Sequence, residues 1–136
     1  MSDFFVGQSA SMSKQFSQEE VDAFSRMSLD INPIHLDEAY AAKTLFGRRI
    51  IHGFLSGSLI SAVIGNILPG EGAIYLHQDM DFRKPAYTDD VLTATVTVER
   101  INPEKHILYL NTVCTNEKEE VVIEGSAVVK YYPKAQ

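Results

Sequence analysis

Residues 50–68, "IIHGFLSGSLISAVIGNIL", hold no Asp, Glu, Lys or Arg. A helix that is apolar nearly all round has to be covered on every side, by protein or by lipid. Lipid is the poorer cover here. The stretch carries His52, Ser56, Ser58, Ser61 and Asn66, and Pro69-Gly70 ends it sharply. Its apolar part is near or below the ~18–20 residues that a bilayer span requires. The expectation is a buried core helix from about His52 to Leu68, with no membrane contact. Gly57, Ser61 and Gly65 recur every four residues along it and leave a narrow stripe where another backbone, or a thin ligand, can approach.

What covers such a helix is written downstream. In "LTATVTVE", residues 92–99, Leu92, Ala94, Val96 and Val98 fall on one face and threonines on the other. "ILYLNTVCT" and "VVIEGSAVVKYY" continue as strands after the turns "NPEK" and "NEKE", and "IYLHQDMDFRKPAY" supplies an earlier strand ended by Pro85. Four strands with short turns are expected to pair as an antiparallel meander whose inner face needs an apolar partner. The fold class is therefore α+β: an antiparallel sheet wrapped around one long central apolar helix, in one domain over 1–136. A chain of this length buries roughly two-thirds of its unfolded surface, so no disulfide or metal staple is needed. Cys114, the one cysteine, lies in a strand and reads as a buried, inert thiol in a reducing, cytoplasmic setting. A net charge of −6 with no Lys/Arg cluster above two residues argues against a nucleic-acid partner.

Upstream, Ser17 and Glu20 make an S-x-x-E capping box, with Phe16 and Val21 placed as a hydrophobic staple. Val21, Phe24 and Met27 follow as an apolar stripe. Asp37 is the expected N-cap of a shorter helix through Tyr40 and Leu45, with Gly47 as terminator. Between these helices runs "SLDINPIHLDEAYA", residues 28–41. Asp30 and His35 are five apart, so a helix would turn them about 140° from each other and a strand would put them on opposite faces. Pro33 disfavours helix at Asn32, and Asn-Pro reads as a turn. Only a bend can bring the carboxylate and the imidazole to one point, and this stretch is built to bend. From the residues alone, a plain solvated loop remains open. The second element is "RRIIHGF", where Gly53 opens the buried helix. First-turn N–H groups lack intrahelical partners there, and an oxygen can approach without meeting a Cβ.

The run "LDINPIHLDEAYA" resembles the signature of the R-specific enoyl-CoA hydratases of the MaoC-like group, which have the hot-dog fold. "IIHGFLSGSLIS" and "DFRKPAYTDDVLTATVTV" continue the resemblance over essentially the whole chain, while Leu29 replaces the Gly usual before the Asp. The resemblance implies reversible hydration of trans-2-enoyl-CoA to (R)-3-hydroxyacyl-CoA without cofactor or metal. Asp30 and His35 would hold one water, since hydration needs a base for the water and an acid for the α-carbon. Asn32 would orient the loop or the water, and the Gly53 N–H would polarise the thioester carbonyl. Ser61 and Ile64 would limit acyl-chain length. The implied partners are an acyl-CoA substrate and a second copy of the chain joined edge to edge. A 3-hydroxyacyl-ACP dehydratase, a hot-dog thioesterase and a non-catalytic acyl-thioester-binding subunit stay open. The thioesterase is disfavoured because residues 52–68 bring no carboxylate. Arg48 and Arg49 fit CoA phosphates or a solvated pair equally well.

Overall fold

The computed structural model describes residues 4–132; residues 1–3 and 133–136 of the expected 1–136 domain lie outside them. The chain runs β1 (Ser9–Lys14), α1 (Gln18–Ser28), α2 (Pro33–Leu36), α3 (Glu38–Ala42), α4 (Gly53–Asn66), β2 (Ile74–Phe82), β3 (Leu92–Asn102), β4 (Ile107–Thr115) and β5 (Val121–Lys130). One five-stranded antiparallel sheet has the order β1-β3-β4-β5-β2. The α4 helix packs along its inner face, which is the hot-dog arrangement that the apolar segment and the alternating strands together require.

The core forms where two periodicities meet. Leu92, Ala94, Val96 and Val98 of β3, with Leu108 and Leu110 of β4 and Ile123 and Val129 of β5, bury the period-two face. Leu59, Ile60, Val63 and Ile64 of α4 bury against them. Removing a side chain such as Ile60 from water contributes roughly 1.5–3 kcal/mol. Cys114 lies in this core, fully buried, and burial pushes its thiol up to about 11. Among the described residues no helix is long and apolar enough to cross a membrane.

Five expectations change in detail. Only β3, β4 and β5 form a meander; β2 pairs with β5 instead of β3, because residues 83–91 cross the start of α4, where the Ile51 N–H donates to Ala86 O at 2.8 Å. The β1 strand was not expected. Its "SASMSK" has too little apolar weight to announce a strand, yet Ala10 and Met12 pack on the core while Ser13 and Ser9 bond Thr93 and Thr97 outside. Met27 is exposed, since α1 keeps only Val21 and Phe24 towards the core. The helix after Asp37 stops at Ala42 and leaves Leu45 in solvent. The α4 helix is also less enclosed than its composition suggests, with Phe54, Ser58, Ser61 and Gly65 forming an open face.

Gly125 shows how tightly β2 lies on β5. A Cβ there would strike the main-chain carbonyl of Asp79, 2.8 Å from its carbon. Backbone cannot yield as a flexible side chain would, so Gly125→Ala should cost about 1–3 kcal/mol, read as a lowered urea midpoint at unchanged m-value.

Candidate active site

The bend that the sequence required is built from two caps. The α1 helix ends at Leu29, which takes the left-handed conformation (φ 69°, ψ 8°) and reverses the chain. The Asp30 N–H then donates to Ser28 Oγ, and the Asn32 N–H donates to Asp30 Oδ1, each at 3.2 Å. Asn32 caps α2 through its side-chain oxygen, which accepts from the Ile34 N–H at 3.2 Å, and Pro33 takes the first helical position. Asn-Pro is thus a helix start as well as a turn. Proline is tolerated there because its missing N–H would have had no partner.

This places His35 on a one-turn helix, 7% exposed, with Asp30 open to solvent above it. His35 Nδ1 lies 2.8 Å from the Ile50 carbonyl. A carbonyl only accepts, so Nδ1 carries the hydrogen and Nε2 holds the free lone pair. The His35 ring stacks on His52, centroids 3.8 Å apart and planes 25° apart. Nitrogens of both rings and a carboxylate oxygen of Asp30 all lie within 4.8 Å of one another. The sequence places Asp30 and His35 as a pair; the structure adds His52, the residue before Gly53. Its signal was readable, a histidine in an otherwise apolar segment, but nothing in the spacing tied it to residues 30–35.

His52 is 2% exposed. Its Nε2 sits 2.9 Å from Ser25 Oγ and 3.3 Å from Asp30 O, Phe24 meets its ring edge-on at 4.9 Å, and Nδ1 has no hydrogen-bond partner. Burial pushes its pKa below the ordinary value of 6.5, with the nearby His35 adding to the effect and the Asp30 carbonyl and carboxylate opposing it. The three groups do not suit a metal ion. Imidazole lone pairs lie in the ring plane, and two rings stacked nearly parallel aim theirs side by side instead of at one point.

Beside the trio opens a cavity of about 670 Å³, lined by Asp30, His52 and Gly53 and walled by Phe24, Phe46, Phe54 and Phe82. Gly53 begins α4 without a side-chain cap, so its N–H has no intrahelical carbonyl to reach. A Cβ at Gly53 would come 2.6 Å from the Phe82 ring, so the glycine also admits that ring. Arg83 and Lys84 line the same cavity. Arg48 instead pairs with Asp89 at 3.0 Å over the Tyr87 ring, and Arg49 donates to Leu36 O at 3.5 Å. Neither Ser61 nor Ile64 lines this cavity. Ser61 borders a second depression of about 370 Å³ with Gly57, Tyr75 and Met80, and Ile64 is buried in the core. Phe54 lines both spaces.

Comparison with known proteins bears on this arrangement. The family described as "MaoC like domain" matches residues 6–120. An (R)-specific enoyl-CoA hydratase of Rhodospirillum rubrum is 47% identical over 127 residues, 93% of this chain and 88% of that protein. One of Aeromonas caviae is 45% identical over 125 residues, covering 92% and 93%. A solved (R)-hydratase from A. caviae involved in PHA biosynthesis superposes with a TM-score of 0.94 at 42% identity, covering 97% of this chain and all of that one.

The depressed pKa of His52 has a thermodynamic consequence. The unfolded chain takes up this proton first, so the contribution is fully present above the ordinary 6.5 and is lost as pH falls below it. Urea midpoints should decline as pH drops through this window, and less steeply in His52→Phe; parallel profiles for the two proteins would show that His52 is not the group responsible.

Proposed function

The chain belongs to the MaoC-like family and is a hydro-lyase, and we propose that it hydrates trans-2-enoyl-CoA reversibly to (R)-3-hydroxyacyl-CoA, with 1–136 forming one hot-dog domain. The observation that carries this reading is the approach of His35 to Asp30, which itself lines an apolar cavity that opens onto the N-terminus of α4.

Water is held between the Asp30 carboxylate and the Nε2 lone pair of His35. One of its protons passes to the pair as its oxygen bonds to the β-carbon of the enoyl thioester. The electron pair of the double bond moves to the α-carbon and is delocalised onto the thioester oxygen. Negative charge there is stabilised by the Gly53 N–H, aided by the positive end of α4. A proton returned to the α-carbon completes the addition, so neither redox chemistry nor a cofactor is called for. Asn32 acts by fixing the loop, since its side-chain oxygen is committed to the Ile34 N–H.

The thioester would enter past Arg83 and Lys84, with the acyl group among the phenylalanines. Arg83 is paired with Glu124 at 2.8 Å and Lys84 with Glu120 at 2.6 Å, all partly exposed. Such exchangeable pairs can release their cations to phosphates at little cost. Because Phe54 borders both spaces, a longer chain would extend past it towards Ser61, with Ile64 behind in the core. The absence of any carboxylate from Gly53–Asn66 continues to disfavour a thioesterase.

A homodimer completes this reading. The β2 strand forms one edge of the sheet, and Ile74, Leu76 and Phe82 on it are about half exposed. A free edge that leaves these apolar side chains exposed beside the open face of α4 is a liability that pairing with a second copy removes. The single buried thiol fits a cytoplasmic enzyme.

Loss of the conjugated enoyl absorbance should follow addition of purified protein to crotonyl-CoA or octenoyl-CoA; failure on both would turn the reading to a carrier-protein substrate or a non-catalytic subunit. Asp30→Asn and His35→Ala should each lower kcat about a hundredfold or more, the usual worth of an acid–base group, with unchanged circular dichroism. Either variant keeping wild-type turnover removes that residue from the reaction. Ser61→Phe should depress turnover of octenoyl-CoA more than of crotonyl-CoA, and an equal effect on both takes Ser61 off the acyl path.

A further inference from the structure

Of the groups gathered at the site, His52 has the most contacts and no part in the chemistry above. It lies at the junction of three segments: its own residue precedes α4, its Nε2 reaches Ser25 on α1 and the main chain of Asp30, and its ring face backs His35 of α2. We propose that His52 is a positioning residue that sets both halves of the acid–base pair through a ring held in the tautomer opposite to that of His35.

The tautomers follow from the acceptors. His35 Nδ1 faces the Ile50 carbonyl and is the protonated nitrogen of that ring. His52 Nε2 faces the Asp30 carbonyl at 3.3 Å, which accepts only, and Ser25 Oγ at 2.9 Å, which can accept as well. Nε2 of His52 therefore carries the hydrogen and shares it between the two oxygens. Nδ1, buried and without a partner, is left as a bare lone pair. The reverse assignment would bury an unpaired N–H there and set a lone pair against the Asp30 carbonyl, which is the costlier arrangement.

This placement has a mechanical consequence. Asp30 is exposed on a bend whose other ties are two side-chain-to-main-chain bonds of 3.2 Å within residues 28–32. The His52 contact is its tie to the body of the fold. The Phe24 edge at 4.9 Å and the His35 face at 3.8 Å leave the His52 ring little freedom to turn. A neutral ring behind His35 also presents no fixed charge to the group that must gain and lose a proton.

The proposal rests on the hydratase reading for its kinetic arm only. With the full chain labelled at histidine nitrogens, and His77 and His106 assigned through His→Gln replacements, the neutral rings should resolve into an Nδ1–H form for His35 and an Nε2–H form for His52. Finding His52 as Nδ1–H overturns the proposal whatever the activity. In kinetics, His52→Phe keeps a ring in the stack and loses the donor, and should lower kcat for crotonyl-CoA about tenfold or more, as small misplacements of reacting groups do, with KM nearly unchanged. His52→Gln, whose amide N–H can reach both oxygens, should recover most of that loss. Wild-type kcat in His52→Phe, a loss confined to KM, or no recovery in His52→Gln each overturn it. Should His52→Phe fail to fold, Ser25→Ala takes its place, with a smaller fall in kcat expected and none overturning the proposal. A wild type inert on enoyl-CoA defeats the hydratase reading alone, and the tautomers then decide this one.

Discussion

The main chain of Ile50 ties the site together. Its N–H donates to Ile34 O at 3.2 Å, and its carbonyl accepts from His35 Nδ1 at 2.8 Å. One residue thereby grips both the backbone and the side chain of the short α2 helix. Its neighbour Ile51 grips Ala86 O in the β2–β3 crossover. Without this strap α2 is a helix of four residues, too short to persist unaided. With it, α2, the start of α4 and the crossover become one body, and His35 is held in place within it.

The strap also sets the electrical character of the site. His35 and His52 are buried against aromatic rings, whereas Asp30 stays in solvent at the mouth of the cavity. Burial disfavours charge, and the neighbouring His35 adds to it, so the pKa of His52 lies below its ordinary value. A carboxylate in the same enclosure would be costly to ionise. Asp30 lies outside that enclosure. Under the proposed reaction the exposed carboxylate and the buried ring would share one water, and the apolar wall would let a thioester displace the rest.

Much of this was legible beforehand, and what was missed has a common cause. The capping box at Ser17 forms with both reciprocal bonds, and the buried helix and β3 to β5 lie where their periodicities put them. Asp30 and His35 converge for the stereochemical reason that neither helix nor strand allows it. Features set by long-range contact were invisible. The β1 strand is half serine and is defined by its pairing with β3. Met27 and Leu45 continue local patterns past the point where a neighbour exists to cover them. His52 lies 22 residues from the Asp30 carbonyl it contacts, and no spacing rule spans that interval.

Leu29 is where local preference and global need are most openly opposed. An L-residue with a side chain gives up roughly 1–2 kcal/mol to enter the left-handed region, which glycine enters freely. Leu29 does so while 84% exposed, so it recovers little by burial. Any extended or right-handed alternative at this position would turn Asp30 and the residues after it away from α1, breaking the Asp30 bond with Ser28 and the joint grip of His52 on Ser25 and Asp30. Those contacts are therefore what hold the leucine in place. Backbone strain concentrated at a functional bend, and held by the surroundings, is the pattern expected when geometry at one residue matters more than local comfort. The bend is stable because the site is assembled, and the site is assembled because the bend holds.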